Sequence, residues 1–274
     1  MKKILVLSGS PRKGDSYQLV KLIEKKMHDL GDVEFDYLIL RKYAIEYCRG
    51  CLTCMKKGED HCPLKDDIPL MRDKMLTADG VIFVSPVYVH AVTASIKNLF
   101  DRMAYYLHRP CFHNKYALIV STTELSGLKE TLQYLAFPVK SMGFNLVGEI
   151  GVLATAFNEP GPYQNEIMAK IEKATKDLFQ NMINRNPIVP KLSDIVFFNK
   201  LKTKITMHKD RFPADYEYWQ NKGWLDADYF FPAKINSIQK FIGALPVKLI
   251  KRVLRKKLGA EGYKKFIGQY PESA

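Results

Sequence analysis

Short apolar runs alternate with longer stretches in which apolar residues recur every three or four positions, and this alternation fills the first two-thirds of the chain. Residues 3–8 read as a buried strand ending in Ser-Gly-Ser-Pro, and 17–30 follow with helical periodicity. Residues 33–40 predict a second strand. A helix is expected over 66–78 with Ile68, Met71, Met75 and Leu76 on its apolar face, then a central, fully buried strand over 80–85. A helix over 94–107, a strand over 116–121, a helix over 128–141, a strand over 145–153 and a helix over 164–184 complete the series. Such alternation predicts an α/β, doubly wound parallel sheet with helices on both faces and ligands at the carboxyl ends of its strands. Ser8, Ser85 and Ser121 stand at three such ends, so the loops leaving them are expected to converge.

Beyond Asn186-Pro187-Ile-Val-Pro190 the alternation stops and the composition turns aromatic and basic, with Tyr216, Tyr218, Trp219, Trp224, Tyr229, Phe230 and Phe231 close together. The expected division is therefore a domain over 1–185 and a mainly helical extension over 186–274. Residues 237–258 are helical in pattern, with a break at Pro246 and a second helix that Gly259 would end. The 274 residues, 47% of them apolar, suffice for a sizeable core, and the formal charge is +13. Much of that charge is late: Lys240, Lys248, Lys251, Arg252, Arg255, Lys256, Lys257, Lys264 and Lys265 meet only Glu261. Phe241, Leu245, Leu249, Ile250, Val253, Leu254 and Leu258 share this segment. That pattern fits a helix packed on the sheet domain, the commoner outcome, or an amphipathic helix on an anionic membrane surface. No nucleic-acid motif accompanies the charge, which by itself supports only nonspecific attraction. The apolar run Ile4 to Leu7 is too short for a signal peptide, and no run approaches the roughly 20 residues of a membrane span. A cytoplasmic protein is expected, with a peripheral membrane site as the alternative.

Four of the five cysteines crowd into CRGCLTCMKKGEDHCP. Clustering of this kind points to a reducing compartment and a metal or redox role rather than a disulfide scaffold. Cys48, Cys51 and Cys54 follow C-x-x-C-x-x-C, and Cys62, followed by Pro63, echoes the C-P ending of ferredoxin runs. A 4Fe–4S cluster, a zinc site and a metal-free loop are the three readings; structural zinc more often uses two separated C-x-x-C pairs. His61 reads as a loop residue and Cys111 as a partly buried structural thiol.

The run Ser8-Gly-Ser-Pro-Arg-Lys-Gly-Asp-Ser16 joins a strand to the helix opened by Tyr17. Its backbone N–H groups, the hydroxyls of Ser10 and Ser16 and the cation of Arg12 can converge on a phosphate at a helix N-terminus. It is neither G-x-G-x-x-G nor a Walker A sequence. A second motif, residues 85–102, runs S-P-V-Y into a K-x-x-x-D-R helix. With these two motifs, residues 1–185 resemble the flavodoxin-like NADPH-dependent FMN reductase family, and the four cysteines narrow the likeness to its iron–sulfur flavoproteins. The resemblance implies a flavodoxin-like doubly wound sheet over 1–185 and does not predict the C-terminal mainly helical extension. It implies FMN bound by Ser8, Ser10, Pro11, Arg12, Ser16 and Tyr17, by Pro86, Val87 and Tyr88 along the ring, and by Ser121, Thr122 and Thr123 in a third loop. Here the family usually carries glycines, and this chain has only Gly127 nearby. The resemblance also implies Cys48, Cys51, Cys54 and Cys62 as ligands of a 4Fe–4S cluster, and NADH or NADPH as electron donor. A quinone, a small oxidant or a protein would be the acceptor, and a homodimer or tetramer the assembly. Tyr88 and His90 are candidates for contacting the acceptor, His90 equally a plain surface residue. The alternative function is a nonenzymatic electron carrier or redox sensor.

Overall fold

The computed structural model describes residues 1–185 and 189–268. In chain order its elements are β1 (Lys2–Ser8), α1 (Asp15–His28), β2 (Val33–Ile39), α2 (Thr53–Lys56), α3 (Ile68–Thr77), β3 (Gly80–Val84), α4 (Ala94–Arg102), β4 (Tyr116–Thr123), α5 (Leu128–Ser141) and β5 (Asn145–Leu153). They continue with α6 (Ala154–Phe157), α7 (Pro162–Asn184), α8 (Leu192–Met207), α9 (Pro213–Asn221) and α10 (Ser237–Gly268). Two compact units result: Met1–Arg49 with Leu64–Asn186, and Gly50–Pro63 with Pro187–Ala274. Of the boundary expected at 186–190, residues 186–188 lie outside the described residues.

All five strands of the first unit run parallel in the order β2-β1-β3-β4-β5. This is the flavodoxin-like order, in which the chain winds one way from β1 to β2 and the other way from β3 onward. The continuous apolar runs of β1, β3 and β4 are buried because helices cover both faces of the sheet. Successive residues point to opposite faces. Ile4, Val6, Ile82, Val84, Leu118 and Val120 share one core with Leu19, Val20, Ile23 and Met27 of α1 and Ile167, Ile171, Leu178 and Met182 of α7. On the other parity, Phe83 packs on Phe100 of α4 and edge-on against Phe144.

Three sequence expectations need correction. Leu76 is exposed, so the buried face of α3 is Ile68, Met71 and Met75. The helix expected over 94–107 ends at Arg102; Met103 leaves helical dihedrals, and a 3-10 turn over Ala104–Leu107 swings Tyr105 and Tyr106 inward, Tyr106 edge-on to Phe112. The break expected at Pro246 is absent: α10 runs through it and is interrupted at Gly259 (φ 69°, ψ 174°). A proline removes one hydrogen bond and tilts a helix, whereas a residue with these dihedrals ends the helical path.

The aromatic run of the extension builds the core of the second unit. Trp219 of α9 is fully buried, its ring 5.5 Å from Phe198 of α8 and 5.3 Å from Trp224. The indole N–H of Trp224 donates to the Phe230 carbonyl at 2.9 Å, so that its polar edge is satisfied inside the core. Helix α2 of the cysteine loop packs on α9.

A pH-sensitive element lies in the sheet unit. The His113 ring sits under Gly143, where a Cβ would stand 3.0 Å from the imidazole. Burial pushes its pKa down to about 4, only partly opposed by a hydrogen bond to the Pro110 carbonyl. The folded state holds this ring neutral while an unfolded chain would protonate it near its usual value of about 6.5. The resulting stability is full above that value and is lost as pH falls toward 4, up to roughly 3 kcal/mol. Urea unfolding at several pH values should show this slope in the wild type and its flattening in His113→Phe.

Candidate functional site at the carboxyl edge of the sheet

The loops leaving β1, β3 and β4 are bonded to one another. Gly9 N–H donates to the Val84 carbonyl at 2.8 Å, and Ser95 Oγ donates to the Gly9 carbonyl at 3.2 Å. A Cβ at Gly9 would lie 2.3 Å from Thr93 Oγ1 and 2.4 Å from Ile96 Cγ1. Side chains at this position are excluded, and Gly9→Ala is expected to push the first loop off α4. The expected outcome is a stability cost of about 1–3 kcal/mol, read by thermal melting.

Within the first loop Ser8, Ser10 and Ser16 are buried. Ser10 N–H donates to Ser8 Oγ at 3.3 Å, and Ser10 Oγ donates to the Arg12 carbonyl at 2.8 Å. Ser16 Oγ and Thr122 Oγ1 are 2.5 Å apart, which ties the first turn of α1 to the end of β4. Pro11 is partly exposed, and Arg12 and Asp15 are exposed. Tyr17 is partly buried, its ring 5.7 Å from Tyr37 and with Lys13 Nζ 5.5 Å above it. Helix α1 has Gly14 at its cap position and no side-chain cap; the Gly14 carbonyl accepts from Tyr17 and Gln18 N–H, so the Asp15 and Ser16 N–H groups are the ones left for another acceptor.

The second loop is closed by Ser85, whose Oγ accepts from Thr93 N–H at 2.9 Å and donates to the Pro86 carbonyl at 3.0 Å. Val87 N–H donates to the Thr122 carbonyl at 2.8 Å. Tyr88 and Ala91 exchange both backbone hydrogen bonds, 2.8 and 3.0 Å, around Val89 (φ 49°) and His90 (φ 57°). These are the dihedrals of a tight turn that glycine and asparagine normally occupy, and a β-branched valine there is strained. The third loop holds the turn in place. Gly127 (φ 87°) approaches so closely that a Cβ would be 2.7 Å from Val87 Cγ1 and 3.0 Å from His90 Cα; Ser126 Oγ lies 3.2 Å from His90 Nε2. Thr123 Oγ1 donates to the Ser126 carbonyl at 2.7 Å. Ser121 is fully buried, and its hydroxyl has no hydrogen-bond partner among the described residues. An unsatisfied buried hydroxyl costs about 1–3 kcal/mol, which a ligand could offset.

Gly9, Thr93, Ser95 and Gly127 fall within or beside the sequence motifs, but the motifs do not show that they brace the loops against one another. The only sequence signal of that bracing is residue type, small or hydroxyl side chains beside the predicted strand ends.

The cysteine loop is pinned at its neck within the sheet unit. Ala44 N–H donates to Asp67 Oδ2 at 2.7 Å, Asp67 N–H returns to the Ala44 carbonyl at 2.9 Å, and Glu46 N–H donates to Asp66 Oδ2 at 2.9 Å. Two residues of α4 lock this neck from below. Asn98 Nδ2 donates to the Ile45 carbonyl at 3.0 Å; Arg102 donates from Nη1 to the Glu46 carbonyl at 2.9 Å and engages both oxygens of Asp66. The side chains of this ion pair are 3% and 2% exposed. Burial by itself would raise the Asp66 pKa, but the hydrogen bonds from Arg102 and from the N–H groups of Glu46 and Ile68 outweigh it and hold the carboxyl below its usual range.

Past the neck, Cys48 and Cys51 are exposed, and Cys54 in α2 and Cys62 after the 3-10 turn Glu59–His61 are partly exposed. Gly50 (φ 65°) and Leu52 (φ 58°) turn the backbone between the first three cysteines. Thr53 Oγ1 donates to Cys51 Sγ at 3.2 Å. Among the described residues no three Cys, His, Asp or Glu side chains form a metal-holding group. The donor set itself is chemically consistent with iron–sulfur ligation: four soft sulfurs on an irregular loop, one already accepting the kind of hydrogen bond that tunes such clusters.

The NADPH-dependent FMN reductase family matches residues 2–158, a span that includes all three sheet-edge loops and the cysteine loop. An iron–sulfur flavoprotein of Archaeoglobus fulgidus is 32% identical over 228 residues, covering 82% of this chain and 100% of that one. The chain belongs to the NADPH-dependent FMN reductase family, among its iron–sulfur flavoproteins. The chain is also 27% identical over 226 residues to an iron–sulfur flavoprotein from Clostridioides difficile, covering 80% of this chain and 98% of that relative. Among solved structures it shares its fold with an oxidoreductase from Corynebacterium diphtheriae (TM-score 0.53, 15% identity, 68% of this chain and 99% of that one). An NADH:FMN oxidoreductase shares it too (TM-score 0.50, 16% identity, 66% and 90%). The chain is thus a member of an FMN-dependent oxidoreductase family.

Proposed function

We propose that this flavoprotein accepts electrons from NADH or NADPH on an FMN held at the carboxyl edge of the sheet and passes them, by way of a 4Fe–4S cluster, to a quinone, a small oxidant or a protein acceptor. The observation that carries the reading is the mutual bracing of three strand-end loops beside the unpartnered, buried Ser121 hydroxyl. The buried hydroxyls and the uncapped start of α1 suit a phosphate ester and a polyol chain. When bound, FMN supplies the conversion of two-electron to one-electron traffic. The chain's part is binding and orientation. Ser10, Ser16 and Arg12, on the loop that runs from Ser8 through Pro11 to Tyr17, would hold the phosphate at the start of α1. Pro86, Val87 and Tyr88 would wall the ring, and Ser121, Thr122 and Thr123 would close the third side. The exposed Tyr88 and His90 at the rim would meet donor or acceptor. Cys48, Cys51, Cys54 and Cys62 would hold the cluster as thiolates.

The experiment is an absorption spectrum with iron, sulfide and zinc analysis on protein purified without oxygen, for the wild type and Cys54→Ser. Flavin bands with about four irons and four sulfides per chain are expected in the wild type, with the iron lost and the flavin kept in the variant. Zinc in place of iron, or flavin alone, would refute the cluster; absence of flavin would refute the whole reading. Rapid oxidation of NADH or NADPH by the pure protein would separate an enzyme from a passive electron carrier.

A further inference from the structure

No helix among the described residues is long and apolar enough to cross a membrane, yet α10 exposes the side chains that usually close a core. Ile238, Phe241 and Leu249 are 69%, 62% and 61% exposed, and Ile242, Leu245 and Val253 are exposed as well. At about 100° per residue these six fall within an arc of roughly 120°. The opposite side of the helix is occupied: Gly243 lies against Ile195 of α8, where a Cβ would come within 2.6 Å of Ile195 Cγ2. The apolar stripe is therefore the face that α8 leaves uncovered.

Charge identifies what would cover it. Nine cations and one carboxylate lie within Ser237–Gly268. Among them Arg252, Arg255, Lys256 and Lys257 are exposed, and Arg252 and Lys256 project within the arc of the apolar stripe. A second copy of this chain is disfavoured, because pairing stripe to stripe would bring two strongly positive segments together. A nucleic acid would engage the cations and leave Phe241, Ile238 and Leu249 in water. An anionic lipid surface satisfies both features at once, taking the apolar side chains below the headgroups and the cations at their level.

We propose that α10 is a peripheral docking helix that lays its Ile238–Val253 stripe into an anionic membrane surface. The proposal is independent of the flavin and cluster assignments. It is tested by flotation of the full-length protein with vesicles of phosphatidylcholine containing about 30% phosphatidylserine, at about 0.1 M salt, against vesicles of phosphatidylcholine alone. Binding to the anionic vesicles is expected, with partitioning reduced about tenfold or more both by Phe241→Glu/Leu249→Glu and by Arg252→Glu/Lys256→Glu. Phe241→Leu should bind as the wild type does. All of these side chains are exposed, and flavin content and far-ultraviolet circular dichroism would confirm that each variant is folded. Equal binding to neutral and anionic vesicles, no binding to either, or undiminished binding by Phe241→Glu/Leu249→Glu would overturn the proposal. So would displacement from anionic vesicles by a single-stranded RNA that the Phe241→Glu/Leu249→Glu variant binds equally well.

Discussion

Arg102→Met should cost about 3–5 kcal/mol of stability and, on the proposed assignment of the four cysteines to a cluster, lower the iron per chain while flavin per chain holds. Arg102 is buried, supplies the cation that engages both oxygens of Asp66, and shares the Glu46 carbonyl with Asn98. Removing it leaves the Asp66 carboxylate buried without its cation, the costly way to break such a pair. Residues 46 and 66 bracket all four cysteines, so loosening them frees both ends of the loop. Arg102→Lys should recover little, because one ammonium cannot reproduce a planar fork. In the double variant Asp66→Leu/Arg102→Met no charge is stranded, and it should be more stable than Arg102→Met. If the double variant were the less stable of the two, the stranded-charge account would fail. The pH dependence has a defined sign. Asp66 has its pKa lowered by folding, so the neck contributes fully above the unfolded carboxylate value of about 3.9 and loses that contribution as pH falls through the folded value. This acid loss should vanish in the double variant, as measured by urea unfolding across that range.

Trp219→Ala is expected to be equally severe for the second unit, at about 3–5 kcal/mol. The indole is fully enclosed, with Phe198, Trp224 and Phe230 all within 5.7 Å between ring centres. No small shift of α9 can refill that volume, because the neighbouring rings are themselves packed on one another. The sheet unit has a separate core, so two unfolding transitions should replace one in calorimetry, the earlier belonging to the extension. Helix α2, which carries Cys54, packs on α9, so iron per chain should fall while flavin per chain holds. Full iron content in a variant whose extension has melted would show that the cysteine loop does not depend on that support. Trp219→Phe should give an intermediate cost in both readouts.

Elements differ in how far local sequence specifies them. The strands and the helices α5 and α7 were readable because apolar periodicity is written in adjacent residues, and the interior strands carry unbroken apolar runs that only a doubly covered sheet rewards. The end of α4 was not readable. Residues 103–107 remain as apolar as the helix before them, and it is the demand of Tyr105 and Tyr106 for the core that turns the chain. In the extension the aromatic run is visible in the sequence, but its role as a core depends on Phe198 of α8, 21 residues before Trp219, whose ring packs on that indole. Ser10, Ser16 and Thr122 could be named as candidates from loop position and hydroxyl chemistry. The 2.5 Å contact between Ser16 and Thr122 spans 106 residues and left no local trace.

Local sequence specifies the parallel sheet, the placement of hydroxyl-rich loops at its carboxyl edge, the four-cysteine spacing and the positive charge late in the chain. These are matters of period, residue type and count over short windows. The tertiary structure decided the rest: the close approach that bars a side chain at Gly9, the strained turn at Val89 and His90, the neck clamped by Asn98 and Arg102, and the helix face that α8 leaves uncovered. Each depends on segments that meet only after folding, at sequence separations of 36 between Asp66 and Arg102 and 56 between Glu46 and Arg102. Periodicity records whether a residue is to be buried, while its partner is fixed by the path of the chain between them.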